Sequence, residues 1–172
     1  MPATLLLRAV AHPAPQTAAY TILLLAHVAC AVVGFGSVLL SGVFAVAASA
    51  GPGGPRADAV RRYFAPGVNW AGRVLYGVPV FGFALLAASH GAYGDGDPFV
   101  VAGLVLWAVA AGVAEVALWP AERRIQQAVA EDWAHAPSPG GALRRDCRTV
   151  VTGAVVLLAV FAVATVLMVG KP

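Results

Sequence analysis

Four long apolar stretches, at about residues 20–48, 70–89, 99–119 and 150–170, take up most of this chain, and inside them only His27, Arg73 and Glu115 are ionisable. A helix needs about 20 residues to cross the hydrocarbon core of a bilayer, and each stretch is long enough. The expected fold is therefore all-α: an antiparallel four-helix bundle integral to the membrane. Composition agrees, with 60% hydrophobic and 11% charged residues, against about a quarter charged in soluble domains. Once four spans are taken from 172 residues, loops and tails remain but no separate soluble domain, so residues 1–172 read as one membrane domain.

Charge sets the expected orientation. The first and third connections carry Arg56, Arg61, Arg62, Arg123, Arg124, Arg144, Arg145 and Arg148, whereas the opposite side has only Arg8 and Lys171. By the positive-inside rule the basic connections are cytoplasmic and both termini face outward. The formal charge of +3 reflects this topology, and nucleic acid is not an expected partner; the bilayer is. Met1 to Gln16 lacks the pattern of a cleavable leader and reads as a short tail, with the first span as its own uncleaved signal. The bias to alanine, glycine and arginine, with a single lysine, points to the cytoplasmic membrane of a bacterium of high GC content.

The first connection opens with Gly51, Pro52, Gly53, Gly54 and Pro55, then offers a helical turn through Val60 to Phe64. Gly91 to Asp97 is a tight acidic turn joining antiparallel neighbours. Between the third and fourth spans, Ile125, Val129 and Trp133 recur every fourth residue. That makes a short amphipathic helix, either lying at the cytoplasmic interface or continuing the third span. Pro137 to Gly141 breaks the chain before the fourth span. Trp70, Trp119 and Trp133 fall near cytoplasmic boundaries and Tyr20 and Tyr93 near outer ones, the usual places of headgroup anchors.

Helices in lipid gain little from hydrophobicity against one another and depend on close packing of small residues. The first span carries Ser37, Ser41, Ala45 and Ser49 at i+4 spacing, with Gly34 and Gly42 beside them. Gly77 and Gly82 of the second span, or Gly103 and Gly112 of the third, are the candidate partners. Pro79 removes a backbone donor in the second span, kinks it and leaves the Leu75 carbonyl without its helical partner. Cys30 and Cys147 fall at different depths, so no disulfide is expected.

A charge at membrane depth costs at least a few kcal/mol and calls for a partner or a task. Arg73 and Glu115 each lie within about one turn of the cytoplasmic boundary at 1.5 Å per residue. They can form a structural ion pair across consecutive helices, or each can snorkel to the headgroups. His27 lies on the order of 10 Å inside the outer boundary by the same count. It is either a neutral imidazole satisfied by a serine or carbonyl, or a ligand to haem b or copper. His90 is then the best second ligand and Met168 a weaker one. No Gly-rich phosphate loop, HExxH helix or serine nucleophile with a base is present, which argues against a hydrolase or an energised pump.

His27 followed by Gly34 to Ser37, the basic loop ending in Asn69 and Trp70, Pro79 in the second span, and the Trp119, Pro120, Arg123 end of the third resemble a bacterial family of small four-span membrane proteins of unknown function. That family is distantly similar to copper-resistance-D-like and haem-binding membrane bundles. The resemblance implies His27 as the position to test as a ligand. Three functions stay open at this point: a structural or accessory membrane subunit, alone as a homo-oligomer or within a larger complex; a haem- or copper-handling protein using His27; and a small solute or proton carrier using Arg73 and Glu115.

Overall fold

The computed structural model describes residues 17–131, 133 and 138–170. Met1 to Gln16 with Arg8, the breaker Pro137, and Lys171 lie outside the described residues. The rest is all-helical: α1 (Ala18–Ser49), α2 (Ala57–Tyr63), α3 (Trp70–Ala88), α4 (Pro98–Glu131) and α5 (Gly141–Val169). Four of these, all but α2, are long and apolar enough to cross a membrane, and they pack as a bundle.

Local chemistry sets the helix ends. Thr17 caps α1 by accepting from the Tyr20 N–H at 3.2 Å, and Gly51, at φ +95°, ends it in the left-handed conformation that glycine adopts without strain. Asn69 caps α3 through the Gly72 N–H, and Pro98 sits in the first turn of α4, where its missing N–H costs nothing.

The amphipathic stretch is the continuation of the third span. A π turn at Ala114–Leu118 joins the two parts, and α4 runs unbroken for 34 residues. The fourth span, α5, starts at Gly141, about two turns before the apolar stretch, so Arg144, Arg145 and Arg148 stand on helix instead of loop. At 1.5 Å per residue α1, α4 and α5 are about 48, 51 and 44 Å long, against a hydrocarbon core of about 30 Å. The excess lies at the end carrying the eight arginines of the first and third connections, because α3 begins level with the middle of α1: Gly34 meets Leu75, and Ser37 meets Asn69.

Two cores result. Within the spans, Phe35, Val38, Leu75, Ala114, Leu118 and Leu157 form one. Beyond them, the projecting parts of α1, α4 and α5 enclose a second with α2, built on Ala45, Ala48, Val60, Phe64, Ile125, Val129, Trp133 and Cys147. This cap has the composition of a small soluble core. Trp119 and Trp133 are 3% and 2% exposed and belong to these cores, so neither is a headgroup anchor: Gly72, Arg73 and Tyr76 of α3 lie against Trp119, and Trp133 shares the cap core with residues of α2 and α5. Trp70, 74% exposed, keeps that position.

Toward the opposite end the packing thins. Buried residues of α1 begin only at Gly34, those of α4 at Ala110, and none of Gly77–Ala88 is buried. The close approaches are specific. Gly34 lies on the Leu75 backbone, Gly42 on Ala154 of α5, Gly77 on Cys30 and Gly82 on the His27 ring. Gly103 meets Met168 of α5, and Gly112 faces open space, so these two glycines of the third span do not serve α1.

Helices α3 and α4 meet through long side chains. Tyr76 touches Trp107 and Trp119 at ring-centroid distances of 6.1 and 6.0 Å, and Trp107 Nε1 donates to the Leu75 carbonyl at 3.1 Å. That carbonyl is the one Pro79 deprives of a helical donor. Trp107→Phe is expected to cost about 1 kcal/mol of stability. In a Pro79→Ala background the cost should shrink, since residue 79 then offers its own N–H to Leu75. A double-mutant cycle read by unfolding in detergent checks this, and strictly additive costs would refute the assignment.

Candidate functional site

Three polar centres lie along the bundle, two near the basic end and one deeper. The first joins α3 and α4. Arg73 Nη1 donates to Glu115 Oε1 at 3.0 Å, and the Tyr76 hydroxyl donates to the same oxygen at 2.5 Å. The Arg73 guanidinium also lies over the Trp119 ring, 3.7 Å from its centroid, a favourable cation–π geometry. Both helices leave regular α geometry here. Val74–Tyr76 tightens into a 3₁₀ turn, and Glu115 stands in the π turn. The side chains remain 27% and 46% exposed, so the pair is a partly open lock.

The second centre is more enclosed and gathers four elements. Glu122 of α4 is 4% exposed. Its Oε1 accepts from Ser41 Oγ of α1 at 3.1 Å and from Asn69 Nδ2 at 3.0 Å. Ser37 Oγ donates to Asn69 Oδ1 at 3.1 Å, and the Tyr63 hydroxyl of α2 lies 2.7 Å from Ser41 Oγ. Because a carboxylate only accepts, the protons order themselves: Tyr63 gives to Ser41, Ser41 and Asn69 give to Glu122, and Ser37 gives to Asn69. Burial raises the Tyr63 pKa and the Glu122 charge adds to the rise, so the phenol stays a neutral donor. No arginine reaches Glu122 among the described residues, and its charge is met by neutral donors alone.

Ser37 and Ser41 thus hydrogen-bond across helices, while Ala45, fully buried, packs in the cap core. Tyr63, Asn69 and Glu122 escape a reading of the sequence. One signal was available for Glu122: it shares a helical stripe with Leu118, Ile125 and Val129, which puts an acid on the buried face of an amphipathic helix.

The third centre is His27, whose Nδ1 lies 2.9 Å from the Val78 carbonyl. A carbonyl accepts, so Nδ1 carries the proton. His90 is exposed, at φ +50° in the turn after α3, eight residues beyond the Gly82 that the His27 ring touches. That is about 12 Å further along a helix axis. The two histidines thus stand at different levels of the bundle, His27 beside the Val78 carbonyl and His90 in the turn beyond α3, while Met168 lies against Gly103. Among the described residues no three His, Cys, Asp or Glu side chains gather as a metal site.

Compared with protein-family models, curated proteins and solved structures, the chain matches none. The resemblance carried by His27, Pro79 and Trp119 to a four-span family therefore has no support beyond the four spanning helices themselves.

Proposed function

We propose that this chain is a structural or accessory subunit of the bacterial cytoplasmic membrane, with its basic cap in the cytoplasm and both termini outward. One observation carries the reading: the polar side chains of the spans close on one another. Arg73, Tyr76 and Glu115 form one knot, Ser37, Ser41, Asn69 and Glu122 another, and His27 is tied to α3. Among the described residues no buried side-chain nitrogen or oxygen lacks a partner. Such groups fix helices and leave none spare to bind and release a solute. The arginine count supports the orientation.

Extracted from its host in mild detergent, the protein is expected to migrate in a stable assembly well above its 17.5 kDa protomer. Reconstituted alone, it should dissipate a pH gradient no faster than empty vesicles. A protein that runs singly and conducts protons at a rate abolished by Glu115→Gln overturns the reading in favour of a carrier built on Arg73 and Glu115. A membrane-impermeant thiol label applied from the periplasmic side should reach Asp95→Cys and not Arg61→Cys; the reverse pattern inverts the orientation.

A further inference from the structure

Where α1 ends and α5 begins, a groove of about 550 Å³ opens at the basic end, lined by Ala45, Val46 and Ser49 on one side and Arg144, Arg148 and Val151 on the other. We propose that this groove seats the headgroup of an anionic phospholipid, with an acyl chain continuing along the α1–α5 seam.

The lining is amphiphilic in the order a lipid requires. Arg144 and Arg148 stand one helical turn apart, both exposed, and neither makes an ion pair among the described residues. No acidic residue lines the groove. The nearest acid in sequence, Asp146, is held by Arg124 of α4 at 2.8 Å and does not neutralise them. The start of α5 adds the positive end of its helix dipole. About one turn deeper along each helix, Val43 and Val155 are 54% and 61% exposed, and Val46 at the groove itself is 56% exposed. Measured against α3 the groove stands beyond the spans, and the exposed valines along the α1–α5 seam give a lipid drawn up to the arginines an apolar track back to the bilayer. Free phosphate would use only the arginines, and a zwitterionic lipid would bring an ammonium beside them. Basic pockets between spanning helices on the cytoplasmic side suit anionic headgroups for these reasons.

The test uses the full-length protein in mild detergent, titrated with phosphatidylglycerol or phosphatidylcholine, with retained lipid read by native mass spectrometry. Arg144→Gln/Arg148→Gln is expected to weaken phosphatidylglycerol binding about 30-fold, from the loss of two surface cations. Arg61→Gln/Arg62→Gln removes the same charge from exposed positions on α2, outside the groove, and should retain the lipid. Ser49→Asp, which places a carboxylate in the groove and leaves both arginines, should lose it as well. Three results overturn the proposal: equal loss from the α2 control, equal retention of phosphatidylcholine, or displacement of phosphatidylglycerol by inorganic phosphate, which would make this a site for the free anion.

Discussion

Replacing Glu122 by alanine is expected to destabilise the protein by on the order of 3–5 kcal/mol, because the buried Ser41 and the half-buried Asn69 lose their acceptor and a cavity opens where four elements meet. Ser41 and Asn69 both donate to the same carboxylate oxygen, and Tyr63 and Ser37 are held through them. Glu122→Gln keeps the volume and one acceptor oxygen but not the charge-assisted bonds, so about 1–2 kcal/mol is expected. Glu115 gives the contrast. Its hydrogen bonds are as short, yet its side chain is 46% exposed, and Glu115→Gln should cost under about 1 kcal/mol. Reversible unfolding in mixed detergent ranks the three. If Glu115→Gln costs more than Glu122→Gln, the stability of the basic end does not rest on the buried network.

A second large effect is expected at Gly34. A Cβ there would lie 2.9 Å from Leu75 N and 3.0 Å from its Cα. These are backbone atoms of a helix that is capped by Asn69 and tied to Trp107, so they cannot step aside as a side-chain tip can. Gly34→Ala should cost about 1–3 kcal/mol as overpacking, and Gly34→Leu should separate α1 from α3. Any separation also lengthens the Ser37–Asn69 bond, so the costs of Gly34→Ala and Asn69→Ala should be less than additive. Gly36, with nothing within 4 Å of its Cβ position, is the control. There alanine should be neutral or stabilising by up to about 1 kcal/mol through helix propensity. Equal effects at both glycines would remove the close approach as the cause.

The spans are legible in the sequence because crossing a bilayer is a matter of length and hydropathy, and the residue count alone gives both. Depth is also a count, so Arg73 and Glu115 can be set at one level; the direction in which each side chain turns is not, and Glu115 stands in a π turn that no local residue announces. The cap was hidden for a different reason. Its core combines Ala48, Phe64, Ile125 and Cys147, each unremarkable in its own segment, and their burial follows only from helices that outrun the bilayer together. Trp119 and Trp133 were misplaced by the same gap: an indole at a membrane boundary suits an anchor until another helix covers it. Glu122 was readable in principle from its stripe, but its partners Asn69 and Tyr63 lie in a connection whose path is set by tertiary contacts.

The cap joins parts of the chain made at very different times. Ala45 and Ala48 pack in the same core as Leu143, Cys147 and Val150, about 100 residues later, so the core cannot close when its first wall emerges from the ribosome. Since chains fold from the amino terminus as they are synthesised, α1, α3 and α4 enter the bilayer while Ile125 and Val129 still lack their cover from α5. Closure of the cap thus waits for the synthesis of α5. The arginines at the start of α5 arrive with the segment that completes it.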